Sequence, residues 1–152
     1  MNKNDIKELL FYIFITLIIG SIPSVFIIGN DMYKTIEKPP LSPPAIVFPI
    51  VWTILFIIMG ISIYRIKKID TSNKGIIIYF AQLIVNALWT PIFFGLNAYL
   101  FAFIWLLLLL SLVIIMVYHF YKIDKISAYI NIPYIIWLLF AGYLNFGVFL
   151  YN

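Results

Sequence analysis

No lysine, arginine, aspartate or glutamate occurs in the 47 residues from 75 to 121, between Lys74 and Lys122. As one straight helix rising about 1.5 Å per residue, this run would measure about 70 Å, more than twice the roughly 30 Å hydrocarbon core of a bilayer. It must therefore fold back on itself. Turn chemistry within it is concentrated at Gly95-Leu96-Asn97, which predicts two membrane-length helices, 75–94 and 98–120. On the first of these, Gln82, Asn86, Trp89 and Phe93 follow the spacing i, i+4, i+7 and i+11, so two amides and two aromatics share one face. Carboxamides turned to lipid are costly, and this face must look into protein, ligand or water.

The whole chain fits that reading: 64% of residues are apolar, 11% are charged and the mean hydropathy is +1.08, against about 25% charged in soluble domains. This is the composition of an integral membrane protein. The 152 residues suit a single membrane domain, 1–152, without linkers, charged tails or a useful internal repeat. With no cysteine, disulfides, thiolate nucleophiles and Cys-ligated zinc are excluded. The net charge of +4 does not imply nucleic-acid binding, because the basic residues lie in short segments between apolar runs, where membrane topology accounts for them.

An apolar run at 9–28 has the length of a first span and lacks the short apolar region and cleavage site of a signal peptide. Gly20, Ser21, Pro23 and Ser24 near its end suit close helix packing. The long connection, 29–44, carries Asn30, Asp31, Tyr33, Lys34, Glu37 and Lys38 before Pro39-Pro40-Leu41-Ser42-Pro43-Pro44. Four prolines in six residues fix an extended, stiff path, better suited to a lid than to a flexible linker. Pro44 is expected to open the second helix, 45–64, on which Phe48, Trp52 and Leu55 or Phe56 share a face. The 98–120 helix is nearly pure aliphatic and is expected to be the most lipid-exposed. A fifth helix, 126–151, places Pro133, Trp137, Ala141 and Asn145 in one stripe.

The fold class is thus an all-α integral membrane protein, a bundle of five transmembrane helices. Eight of the ten basic residues (Lys3, Lys7, Arg65, Lys67, Lys68, Lys74, Lys122 and Lys125) fall on one side and two, Lys34 and Lys38, on the other. The positive-inside rule then puts the N-terminus inside, and the proline loop and C-terminus outside.

Three motifs in order resemble the tryptophan-rich sensory protein family, also called translocator protein or peripheral-type benzodiazepine receptor. They are Lys38-Pro39 with Pro43-Pro44 and Val51-Trp52; then Gln82-Leu83 with Asn86, Trp89 and Phe93-Phe94-Gly95; then Pro133-Tyr134 with Trp137, Phe140-Ala141 and Leu144-Asn145. The likeness covers about residues 33 to 146. Two departures stand out: Met32 and Leu41 occupy positions where the family usually has tryptophan. The chain ends Val-Phe-Leu-Tyr-Asn without the basic residue of the animal members' cholesterol-recognition pattern, so cholesterol handling by that motif is not supported.

The resemblance implies a bacterial cell-membrane protein, usually a homodimer, that binds porphyrins and other flat hydrophobic ligands in a pocket inside the bundle, closed by the first loop. No cofactor is required; the porphyrin is a ligand. A tetrapyrrole needs broad aromatic walls and a few amide hydrogen bonds. By this likeness the ligand-binding residues are Tyr33, Pro43, Phe48, Trp52, Phe56, Gln82, Asn86, Phe93, Trp137, Ala141 and Asn145, with Lys34 or Lys38 near the mouth to meet propionates. Gln82, Asn86 and Asn145 could equally bridge helices. His119, the sole histidine, reads as an interfacial side chain rather than a haem ligand.

Two further functions compete with that of receptor or carrier. One is light-dependent oxidative breakdown of bound porphyrin with Trp52 and Trp137 as redox partners, an activity the resemblance suggests and the residue spacing does not show. The other is a channel or ion-coupled transporter, disfavoured because the predicted spans hold no ionisable acid or base in their middles. Hydrolytic or metal-dependent catalysis is disfavoured too: all six acids lie at helix ends or in loops.

Overall fold

The computed structural model describes residues 2–27, 29 and 31–152; Ile28, the expected end of the first span, and Asn30 of the long connection lie outside the described residues. Among the described residues, five segments are long and apolar enough to cross a membrane: Lys3–Phe26, Val47–Ile69, Lys74–Gly95, Tyr99–Ile123 and Lys125–Tyr151. The chain is a multi-pass integral membrane protein.

Local chemistry sets where each element starts and stops. Helix α1 (Lys3–Ser21) opens on a capping box in which Asn2 and Asp5 exchange side-chain-to-backbone hydrogen bonds of 2.9 and 3.0 Å. It therefore starts before residue 9, where hydrophobicity alone begins the span. Its α-helical part stops at Ser21, because Pro23 withholds an N–H and the chain tightens into a 3₁₀ turn, Ile22–Phe26. The long connection contains one helical turn, α2 (Met32–Thr35), followed by the extended proline segment. Pro44 does not open the next helix: Val47 N–H donates to Pro44 O in a preceding turn, and α3 runs Val47–Ile69, five residues beyond the expected end at 64.

Asp70 then organises the start of α4 (Lys74–Thr90). Its carboxylate accepts from Ser72 N–H at 2.8 Å, Ser72 Oγ at 2.6 Å and Gly75 N–H at 2.9 Å, filling donors that a helix start leaves unpaired. These bonds, the Ser72 hydroxyl foremost, hold the Asp70 carboxyl below its usual range. At Pro91 the α-ladder of α4 gives way to a π turn, Pro91–Gly95, closed by Leu96 N–H to Pro91 O at 3.0 Å. Asn97, left-handed at φ 52°, reverses the chain into α5 (Tyr99–Ile123). The fifth span is not the continuous helix expected over 126–151. It comprises α6 (Lys125–Tyr129) and α7 (Ile132–Tyr151), broken at Ile130-Asn131 because Pro133 has no N–H to carry the ladder through.

In the bundle α1 packs on α3 and α4, α4 on α3 and α5, and α5 on α7, while α6 lies against α3. The main core joins Tyr12, Met59, Ile63, Tyr79, Leu83, Val113, Met116, Phe120 and Tyr134. Small residues permit the closest approaches: a Cβ on Gly60 would lie 2.6 Å from Ile13 Cα, so α1 and α3 touch backbone to backbone there. The span least buried in the bundle is the first and not the fourth: 17% of the apolar 18-residue stretch of Lys3–Phe26 is buried, against 28% of that of Tyr99–Ile123. The fourth span packs against α4, α6 and α7, whereas the first packs against α3 and α4 only.

The two ends of the bundle differ in chemistry. At one end Lys68 Nζ pairs with Asp5 at 2.7 Å and Glu8 at 3.0 Å, and Arg65 pairs with Asp124 at 2.8 Å. His119 Nε2 stands 4.0 Å from Asp70 there, in the end position expected of it. At the other end the proline segment lies over α7. Tyr143 Oη donates to Pro40 O at 2.7 Å, Asn152 exchanges bonds of 3.0 and 2.9 Å with the Glu37 backbone, and Pro39 seats against Gly147.

Candidate functional site

The helical spacing of α4 turns Gln82 and Asn86 inward, one turn apart, and both are buried. They meet on one hydroxyl from α7. Tyr134 Oη accepts from Asn86 Nδ2 at 2.7 Å and donates to Gln82 Oε1 at 3.0 Å, and Tyr134 is wholly buried. This leaves the Gln82 Nε2 group buried without a hydrogen-bond partner.

Aromatic rings from α3, α7 and the lid surround this polar junction. Trp52 stacks on Phe56 at 5.4 Å and meets Tyr134 and Trp137 edge-on at 6.1 and 6.5 Å. Phe48 joins Trp137 at 6.0 Å and Tyr33 at 5.5 Å. Tyr33 Oη donates to Pro43 O at 2.7 Å, and burial pushes its phenol above the usual range. Lys38 closes the corner: its Nζ donates to Tyr33 O at 2.7 Å and lies 4.9 Å from the Tyr33 ring centroid. Lys34, by contrast, points to Asp31 at 2.6 Å in the exposed part of the lid. The Trp137 indole N–H is a second buried donor without a partner.

Six of the residues expected at a site, Tyr33, Phe48, Trp52, Phe56, Gln82 and Trp137, thus join one continuous cluster through Tyr134, with Pro43 and Asn86 as hydrogen-bond partners within it. Ala141 is half-buried one helical turn beyond Trp137. Phe93 and Asn145 belong elsewhere. Phe93 stacks on Trp89 at 5.0 Å in a separate cluster with Ile36, Ala102 and Val148. Asn145 accepts from Trp89 Nε1 at 3.0 Å and donates to Tyr99 O at 2.8 Å, bridging α4, α7 and α5.

The rings meet one another where an enclosed hollow was expected. Open volume lies instead along the outer seam between α3 and α7, a groove of about 540 Å³ walled by Val51, Ile54, Leu55, Ile58, Pro133, Ile136, Trp137 and Phe140. The physical reason is that α3 and α7 are held apart by large rings rather than by close backbone contact, so the space between them opens laterally toward lipid. Trp137 belongs to both the cluster and the groove.

Sequence reasoning passed over Tyr134 as a site residue, although it stands beside Pro133 and one turn before Trp137. It also passed over Tyr143, Gly147 and Asn152, which hold the lid. A tyrosine one turn from a site tryptophan on a helix was the available signal; the lid contacts join residues more than 100 apart and have none.

Five spans, a proline-stiffened segment and an aromatic cluster with two unpaired buried N–H donors beside a lateral groove define a multi-pass membrane protein. The chain belongs to the TspO/MBR family, whose model matches residues 12–151. It is 37% identical over 124 residues to Protein CrtK of Rhodobacter capsulatus, covering 79% of this chain and 78% of that protein. It is 34% identical over 120 residues to Tryptophan-rich protein TspO of Chlorobaculum tepidum, 76% of each chain. It is 31% identical over 123 residues to Translocator protein of Bos taurus, 78% of this chain and 73% of that protein.

Proposed function

We propose that the chain serves a membrane sensory or translocator role by binding porphyrins or similarly flat hydrophobic ligands at the seam of α3, α4 and α7. The observation that carries this reading is the pair of buried, unpaired donors, Gln82 Nε2 and Trp137 Nε1, set among the rings of Trp52, Phe48 and Tyr134. An apolar plate with a few acceptors satisfies both needs, ring contact and hydrogen bonding. The lateral groove offers a path from the bilayer to Trp137, and the lid covers the end of the cluster at Tyr33 and Phe48.

Protoporphyrin titrated into the purified protein is expected to quench tryptophan fluorescence saturably, with affinity reduced in Trp137→Phe and Trp52→Phe. A response that never saturates and ignores both substitutions removes the proposal. The Trp52 and Trp137 contact at 6.5 Å favours a second reading, in which an illuminated porphyrin loses electrons through these rings to dioxygen, the porphyrin being oxidised and dioxygen reduced. Identical photoproducts from bound porphyrin and from porphyrin in detergent alone would exclude it. Family likeness further supports a homodimer in a bacterial cell membrane, to be measured by sedimentation in detergent.

A further inference from the structure

A second binding surface lies at the ion-paired end of the bundle, on the outer corner where α5 turns into α6. Asp124 sits between Lys122 and Lys125 in sequence, but its side chain turns inward and is 12% exposed, bonded by Arg65 at 2.8 Å and by Ser127 Oγ at 2.6 Å. The carboxylate that could neutralise the two lysines is therefore committed elsewhere. Both lysines instead lie over tyrosine rings, Lys122 Nζ 4.3 Å from the Tyr118 centroid and Lys125 Nζ 5.6 Å from that of Tyr121. Tyr121 in turn meets Tyr129 edge-on at 5.9 Å, and all three tyrosines are exposed.

The result is a shelf of three phenols carrying two positive charges at the end of a membrane span. Directly along α5 from this shelf, Ile114 and Ile115 are exposed, one helical turn into the hydrocarbon from Tyr118. Cations and phenols at headgroup depth above an apolar strip match a molecule with an anionic head and acyl chains. Lys3, Lys7 and Lys74 share this end of the bundle but lack the aromatic shelf.

We infer that Lys122 and Lys125, on the shelf of Tyr118, Tyr121 and Tyr129, hold the headgroup of an anionic phospholipid. The full-length protein in detergent, titrated with phosphatidylglycerol and separately with phosphatidylcholine, is measured by native mass spectrometry. Phosphatidylglycerol is expected to bind about tenfold more tightly, each lysine near the surface contributing a few-fold. The preference should disappear in K122A/K125A, persist in K122R/K125R and persist in K3A/K7A, which removes the same charge from the same end. Equal binding of the two lipids overturns the inference, and so does an equal loss in K3A/K7A. Displacement of the lipid by inorganic phosphate at comparable concentration overturns it as well, since the acyl strip would then add nothing.

Discussion

Tyr134 both accepts and donates at one buried oxygen, so removing that oxygen strands two amides at once. Tyr134→Phe is expected to lower stability by about 1 to 2 kcal/mol, since buried groups left unpaired cost more than the roughly 0.6 kcal/mol of an average bond between membrane helices. Thermal unfolding in detergent measures it; an unchanged midpoint would mean that Asn86 and Gln82 find other partners. Trp137→Phe should behave differently, because its N–H has no partner to lose: ligand affinity falls while stability changes less. At this scale the sequence was half legible. Period 3.6 places Gln82 and Asn86 on one inward face, and the same period aligns Pro133 with Trp137. It cannot pair residues across helices. Trp89, on a stripe expected to look into protein, ligand or water, and Asn145, expected at the ligand, bond to each other across 56 positions of chain, a contact fixed by helix packing and not by either helix's own spacing.

Proline and glycine act on whole elements here. Pro23, Pro91 and Pro133 each change a helix's course, into a 3₁₀ turn, a π turn and a break. The existence of five spans follows from apolar length, whereas their boundaries follow from caps such as Asn2 and Asp70, which hydropathy does not register. Glycine sets the gap between α1 and α3. Because the atom facing Gly60 is Ile13 Cα, backbone that cannot swing aside, Gly60→Ala should force the two helices apart and cost about 1 to 3 kcal/mol. Tolerance of alanine, seen as an unaltered unfolding midpoint, would show that α1 shifts freely. Between α3 and α6 the link is ionic. Arg65, and after it Ser127, hold the Asp124 carboxyl down to about 2 from 3.8. A depressed carboxylate contributes its full stabilisation above the unfolded value near 4 and loses it as pH falls toward 2. For a pair whose arginine side is 35% exposed, that is about 1 kcal/mol after screening. The wild-type midpoint should therefore fall between about pH 4 and about pH 2, the unfolded and folded values, more steeply than that of Asp124→Asn; parallel curves would assign no role to this pair.

The molecule as a whole is polarised along its axis. Ion pairs from Lys68 to Asp5 and from Arg65 to Asp124 bring the N-terminal segment, the 65–74 connection and the α5 to α6 turn to one end. All eight basic residues assigned to one side by the sequence therefore share that end in three dimensions. The opposite end carries Lys34 and Lys38, and Lys34 is offset by Asp31 at 2.6 Å. Because short basic segments are retained on the cytoplasmic side, the lid should face outward. The chain contains no cysteine, so single-cysteine variants report position cleanly. Leu41 is 82% exposed in the lid, and Thr71 is exposed in the basic connection. In intact cells a membrane-impermeant maleimide should label Leu41→Cys and leave Thr71→Cys unlabelled until the membrane is opened, and a reporter fused after Asn152 should stay outside. The reverse labelling pattern, or a reporter found in the cytoplasm, would invert the molecule and place the lid and the α3 to α7 cluster nearer the cell interior.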